Sequence, residues 1–541
     1  MKRIIFLVVF VASISFGIAQ TPTDYLPKKF HKERREALRK KMPQNSVAVV
    51  FANPIRNRAN DVDYVFHQDP NFYYLTGFRE PNAVLLLFSN DQTDENGTVY
   101  NEMIYVPKRD PKAEMWNGKR LGVAGVKRDL GFTKAATSED FSNTPIDFTK
   151  FDQVFIEQFK DDYRNSERKK GEVYDLVKSF KEKSNYNTTN FLSTPKKRIY
   201  ELITASPVEN AANVAQVIGR AVTVYPSLKE DKIVQGYQNA SNDKARKEFQ
   251  EKASLELNSK SNINIEFLSA NLAEMREVKT PEELKLLTKA IRISAVGQIE
   301  VMKAMKPHMS ETEIQGIHEF VYKKYGAEYE GYPSIVGAGN NGCILHYIEN
   351  NKTKVGHDLV LMDLGAEYRG YTADVTRTIP ANGKFNPEQK AVYEVVLKAQ
   401  NAGIDACKVG NAFWQPGQEA KRVINEGLVE LGIIKNVNEQ HSYFPHGTSH
   451  HIGLDVHDPG TYGAFKENMV ITVEPGIYIP EGSPCDKKWW GIAVRIEDDI
   501  LITNGAPKNL SEEAPRTVKA IEAMMAKKSV LDDFLLPNLD E

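Results

Sequence analysis

Four carboxylates set inside apolar strands constrain this chain more than anything else in its 541 residues. The stretch DLVLMDLGAEYRGYTADVTRTIP reads as a strand pair folded about a hairpin, and it carries Asp363 and Asp374. With Tyr368 and Arg369 at the centre of the turn, the two aspartates face each other on one side of the sheet. Facing carboxylates repel and destabilise a sheet unless one is protonated or a cation lies between them. Solvent-facing aspartates in another register are the alternative. MVITVEPGIY ends an apolar strand on Glu474, and GIAVRIEDDILI places Glu497 inside another. Both segments are too hydrophobic to lie wholly in water, and an unpaired buried carboxylate is costly. Neither strand contains a lysine, and Arg495 balances at most one charge.

Charge counting then points to metal. Asp363, Asp374, Glu474 and Glu497 carry four negative charges, which two divalent cations cancel. One neutral imidazole completes the set without disturbing that balance. Oxygen-dominated coordination favours manganese, cobalt, magnesium or zinc over metals that prefer soft ligands. Two such ions about 3.5–4 Å apart can bridge and deprotonate one water, which makes a hydrolase the natural reading. The stretch HGTSHHIGLDVHD supplies candidate imidazoles: four of the chain's 11 histidines, His446, His450, His451 and His457, fall within it.

The rest of the chain frames these segments. From Phe30 to Gln158, SVAVVFA, AVLLLFS and MIYVPKR read as strands among turns and helices. NFYYLTGFREPNAVLLL reads as a strand, a turn at Thr76-Gly77 and a second strand, giving a mixed α/β domain over residues 20–159. Residues 160–274 are rich in Lys, Glu, Asn and Ser with few apolar anchors, and are expected to form a charged, mainly helical linker or insert. A catalytic domain follows over residues 275–530, with a short tail at 531–541. Thr280 to Glu283 and Ser310 to Glu313 have capping-box spacing, and Asn386-Pro387 opens a third helix. These helices alternate with strand pairs, so the C-terminal half is α+β with an antiparallel sheet.

The formal net charge of −2 and pI of 6.6 give no footprint for nucleic acid. MKRIIFLVVFVASISFGIAQ has a basic start, an uncharged apolar stretch and small residues before Gln20. It reads as a secretory signal cut after Ala19, which predicts export to a periplasm or the outside. An apolar run of about 15 residues is short for a span that needs about 20, so no membrane anchor is expected after cleavage. Cys343, Cys407 and Cys485 are too few, and odd in number, for a disulfide framework.

The set Asp363, Asp374, His450, Glu474 and Glu497 resembles the ligand set of the dinuclear metallopeptidases of the pita-bread fold, most closely the Xaa-Pro aminopeptidase (aminopeptidase P) family. NGCILHY, MDLGAEYRGYTADVTRT, HGTSHHIGLDVHD, VEPGIY and RIEDDI carry the resemblance in order, and FYYLTGFREPNAVLLL and AEMWNGKRLG resemble the family's N-terminal domain. The resemblance implies a curved antiparallel sheet flanked by helices, preceded by a smaller mixed α/β domain. It implies two divalent ions, manganese first with cobalt or zinc tolerated. One ion would be held by Asp374, His450, Glu474 and Glu497, the other by Asp363, Asp374 and Glu497. His346 and His457 match the catalytic histidines that contact substrate, and Glu474 the proton shuttle. His446 matches a substrate-cleft histidine, Arg495 a residue orienting Glu497, and Trp116 one that reaches a neighbouring subunit's cleft. His451 stands where relatives carry an aromatic residue and is expected to pack, hydrogen-bonded. Peptides with proline in second position are the implied substrates, and a homodimer or homotetramer the implied assembly. Prolidase shares every ligand but acts on dipeptides; methionine aminopeptidase lacks this N-terminal domain, and creatinase-like enzymes lack the ligands. A catalytically dead peptide-binding domain would be expected to have lost some of the five.

Overall fold

The strand Ser46–Phe51 shows how the chain divides its apolar residues. In the computed structural model, which describes residues 22–159, 170–186, 194–257, 261–533 and residue 536, it lies inside a six-stranded mixed sheet. The signal-like segment 1–19 lies outside the described residues, as does most of the tail 531–541. Successive side chains on a strand point to opposite faces. Val47 and Val49 accordingly join Leu86, Phe148 and Phe180 in a core private to the N-terminal domain. Ala48 and Val50 join Leu85 and Leu87 on the other face, in a core continuous with Leu286, Ile291 and Met362 of the C-terminal half. The two halves therefore share one hydrophobic interior. Among the described residues, no helix is long and apolar enough to cross a membrane.

One expectation for this half needs correction. Pro70–Thr76 is a helix, not a strand. Asp69 Oδ1 accepts from the Phe72 amide at 2.9 Å, proline takes the first helical position, and Gly77 ends the helix at φ 69°. The unbroken burial of Phe72 to Thr76 mimics a central strand in sequence, but the caps decide the conformation. The described residues of the span 160–274 are mainly helical and contribute to two apolar cores. Val173–Lys183 lays Leu176 and Phe180 on the N-terminal sheet, and Ile263–Asn264 is that sheet's last strand, parallel to Gln153–Phe155. Between them, helices Thr194–Ala205, Ala211–Val224, Lys232–Gln238 and Asp243–Leu257 enclose their own core of Ile203, Ile218, Val234 and Tyr237. Those anchors are spaced at helical intervals among charged residues, which hides them from a compositional reading.

In the C-terminal half, helices Pro281–Ala304, Glu311–Lys324, Pro387–Asp405 and Gln415–Glu430 pack against short antiparallel strands. The helix starts are where the sequence puts them. Thr280 with Glu283 and Asn386 with Gln389 form reciprocal capping boxes, and Ser310 accepts from the Glu313 amide. The hairpin register differs from expectation: Tyr368 pairs with Tyr371, Glu367 with Thr372, and Asp363 with Thr376. The turn is centred on Arg369 and Gly370, with φ of 55° and 87°. A two-residue hairpin turn wants positive φ at both central positions, and glycine adopts it without strain, so Arg-Gly displaces Tyr-Arg. Arg369 is held there by Asp24 and Glu328. Asp374 is consequently not paired across from Asp363 but falls in a gap between Tyr371–Thr372 and Val375–Pro380. Gln298 spans that interruption, donating to the carbonyls of Met362 at 3.1 Å and Val375 at 2.8 Å.

Beneath the hairpin, the fully buried guanidinium of Arg377 donates to Asp498 Oδ1 at 2.7 Å and to the carbonyls of Glu497, Thr376, Ala514 and Pro515. Breaking such a pair leaves an uncompensated buried charge. Arg377→Leu is expected to destabilise the protein by about 3–5 kcal/mol, read as a lower midpoint in denaturant unfolding.

Candidate active site

Three of the four carboxylates sit where one strand gives way to the next, and the fourth is one residue from such a break. Asp363 is next to last in Leu359–Leu364, and Asp374 occupies the gap just described. Glu474 separates Val470–Val473 from Gly476–Ile479, and Glu497 separates Ile492–Arg495 from Asp498–Leu501. Interrupted pairing frees these side chains from the alternation of a regular sheet and lets them turn into one cleft. His450 arrives from the loop before the bridge between His451 and Ile471, with Thr472 locking its backbone: the His450 amide donates to Thr472 Oγ1 at 3.1 Å, and the Thr472 amide to the His450 carbonyl at 3.0 Å.

Asp374, His450 and Glu497 present donor atoms all within 4.8 Å of one another. His450 Nε2 lies 3.5 Å from both Asp374 Oδ2 and Glu474 Oε1, while its Nδ1 lies 3.0 Å from the His451 carbonyl. That second contact orients the ring with Nε2 toward the carboxylates, as a ligating imidazole requires. The Tyr332 hydroxyl donates to Asp363 Oδ1 at 2.6 Å and also reaches Asp374 Oδ1. Thr376 Oγ1 donates to Glu497 Oε2 at 2.6 Å. Arg495 reaches Glu497 only through Thr376, donating from Nε to Thr376 Oγ1 at 3.4 Å, and its direct partners are Asp363 Oδ2 at 2.5 Å and the Tyr478 hydroxyl at 2.8 Å. The strand pairing explains this: Arg495 lies opposite Gly476, which turns its side chain toward Tyr478 and Asp363.

The electrostatics record unrelieved negative charge. Burial and the neighbouring carboxylates Asp374, Glu474 and Asp363 push Glu497 well above the usual range. Burial, with Asp374 close by, lifts Glu474 to about 7. Burial opposes a charge on His450, but the Asp374 hydrogen bond and Glu474 hold its pKa up at about 9. Burial likewise opposes charge on Asp374, yet His450 and Tyr332 hold it below the ordinary value. Among the described residues, the cations paired with the cluster are Arg495 and, if protonated, His450, too few for four carboxylates. The donor set fits two divalent ions in charge, hardness and convergence.

The cleft over this cluster has a volume of about 540 Å³. All five expected ligands line or adjoin it, and so do His346, His446, His457 and Arg495. The His457 ring meets the His450 ring edge-on at 4.3 Å between centroids. His446 Nε2 lies 2.7 Å from the Tyr478 hydroxyl, and its Nδ1 lies 3.7 Å from Glu474 Oε2; burial and Arg495 push its pKa down to about 4. Ile335, Leu345, Ile348 and Val456 give one side of the cleft an apolar lining. Trp116 is not part of it: on the short helix Pro111–Asn117 it is 85% exposed. His451 packs as expected, against Phe413 and Tyr462 at 4.8 and 5.2 Å, but neither ring nitrogen has a hydrogen-bond partner among the described residues. Tyr332, Thr376 and Tyr478 were not singled out in the sequence. Thr376 and Tyr478 stand inside the motif blocks, whereas nothing in YPSIVG flags Tyr332.

Comparison with known proteins agrees with this geometry. Residues 285–504 match metallopeptidase family M24, and residues 31–153 match the aminopeptidase P N-terminal domain. A Xaa-Pro aminopeptidase of Haemophilus influenzae is 34% identical over 92% of this chain and 98% of its own length, and one of Escherichia coli is 32% identical over 91% and 96%. The solved structure of Escherichia coli aminopeptidase P with the inhibitor Pro-Leu superposes with a TM-score of 0.71 at 30% identity, covering 93% of this chain and 98% of that one. A zinc-substituted form of the same enzyme in complex with product gives a TM-score of 0.70. With its ligand cluster, its N-terminal domain and relatives aligned from end to end, the chain belongs to metallopeptidase family M24, in the branch that carries the aminopeptidase P N-terminal domain.

Proposed function

We propose that this chain is a metal-dependent Xaa-Pro aminopeptidase, releasing the N-terminal residue from peptides with proline in second position. One observation carries the reading: Asp374, His450 and Glu497 converge within 4.8 Å in a cleft that also holds Asp363 and Glu474, in a chain with the family's N-terminal domain intact. Two divalent ions, when bound, supply a water of lowered pKa and polarise the scissile carbonyl. Asp363, Asp374, His450, Glu474 and Glu497 would hold them, Asp374 and Glu497 being the carboxylates shared between the two.

The remaining work falls to the protein. Glu474 is the proton carrier: its carboxylate lines the cleft beside His450, where it can take a proton from water and deliver it to the departing proline nitrogen. His346 and His457 border the cleft and donate toward the carbonyl oxygen as charge develops there. His446, held against Tyr478, shapes the substrate side. Arg495 fixes Asp363, and Tyr332 ties Asp363 to Asp374, so both aspartates are preorganised.

The finer assignments follow from the donor chemistry and the leader. Manganese is the proposed native ion, since an oxygen-rich shell with one imidazole suits it, and cobalt and zinc are tolerated. The segment 1–19 directs export, leaving a mature enzyme without a membrane anchor in a periplasm or outside the cell. A homodimer or homotetramer in which Trp116 approaches a second chain's cleft agrees with the exposure of Trp116 and Met115, 85% and 81%.

Two measurements test the reading. Metal-loaded protein should cleave a Xaa-Pro-Yaa tripeptide at the Xaa-Pro bond; cleavage confined to Xaa-Pro dipeptides would make the enzyme a prolidase. Glu474→Gln should lower kcat by about 10²–10⁴-fold with little change in KM; a variant that keeps its metal and turns over normally would remove Glu474 from the proton path.

A further inference from the structure

His450 and His457, whose rings meet in the cleft, hang on opposite ends of one short loop, and the ends are anchored differently. His450 is tied to the sheet through Thr472. His457 is more exposed, and its backbone amide donates to Asp455 Oδ1 at 3.2 Å. The next residue closes the loop: the Asp458 amide donates to the His451 carbonyl at 3.0 Å. The Asp458 side chain then points away from the cleft into a fully buried ion cluster. Its Oδ1 accepts from Arg276 Nη2, and its Oδ2 from Lys279 Nζ at 2.9 Å. Lys279 Nζ also donates to the Arg276 carbonyl at 2.5 Å, and Arg276 Nη1 to Asn71 Oδ1 at 2.6 Å.

That chain of contacts crosses the molecule. Asn71 belongs to the capped helix Pro70–Thr76 of the N-terminal domain, Arg276 to Phe267–Glu277, and Asp458 to the catalytic loop. Gly453 leaves the room it needs, since a Cβ there would meet Asp458 Oδ2 at 2.5 Å. Burying three charges for stability alone is a poor bargain, because apolar groups of similar volume often do as well. A fixed geometry next to a working side chain is a better account of it.

We propose that Asp458 is a positioning residue that sets His457 in the cleft, and that Arg276 and Asn71 couple this placement to the docked N-terminal domain. The proposal rests on the assignment of His457 to substrate given above. Because His450 has its own anchor, disturbing Asp458 should displace His457 and leave the metal site intact.

The test uses full-length, metal-loaded protein and a Xaa-Pro-Yaa tripeptide. Asp458→Asn should lower kcat by about 10–100-fold, with KM and bound metal at wild-type levels. In a His457→Ala background the same change should cost little more, because both act through one side chain. Asn71→Ala, which leaves every buried charge paired, should lower kcat in the same direction by a smaller factor and serves if Asp458→Asn does not fold. Additive losses in the double variant, a loss of metal that accounts for the loss of rate, or an Asn71→Ala enzyme with wild-type kcat would overturn the proposal. A His457→Ala enzyme with undiminished kcat would instead overturn the reading of the site on which it rests.

Discussion

Carboxylates withdrawn from water into one cleft repel each other and lose hydration together, so they stay charged only if cations join them. Asp363, Asp374, Glu474 and Glu497 are in that position, with Arg495 and His450 the nearby protein groups that carry positive charge. The surrounding architecture manages that repulsion. Each acidic residue stands in or beside a break in strand pairing, where the chain can leave the alternation of the sheet. Hydroxyls from Tyr332 and Thr376 hold three of the four in fixed orientations. Such a site is arranged in advance for ions and gives up stability as long as it lacks them.

The cost is carried by the layers behind it. Arg377 gathers Asp498 and four backbone carbonyls directly under Glu497. Arg276 and Lys279 do the same for Asp458 below the histidine loop. Both clusters fix backbone next to side chains that face the cleft. The N-terminal domain is part of this support and not a separate appendage, because one face of its sheet contributes to the same hydrophobic core as the strand bearing Asp363. The helices between residues 194 and 257 have a core of their own and lie outside that arrangement.

Much of the site was legible in the sequence, and the physics of each residue explains why. Acidic side chains in strands too apolar to be solvated are improbable without a partner, so Asp363, Asp374, Glu474 and Glu497 announced themselves. The helix starts at Thr280, Ser310 and Asn386 were legible because capping is local chemistry. Errors arose where local signals competed. The hairpin centre moved two positions in summed register because glycine takes a positive φ more readily than tyrosine. Phe72 to Thr76 read as a strand because those five successive helical residues are all buried. The partner of Arg495 depended on pairing with Gly476, and Tyr332 reaches the aspartates from a segment without a motif, so both needed tertiary structure.

The central claim concerns cations, and their location is directly measurable. Crystals of manganese-loaded protein, with diffraction recorded at the metal absorption edge, should give two anomalous peaks about 3.5–4 Å apart, enclosed by Asp363, Asp374, His450, Glu474 and Glu497. Anomalous density absent from this cluster, or confined to a site that His450 does not touch, would contradict the account.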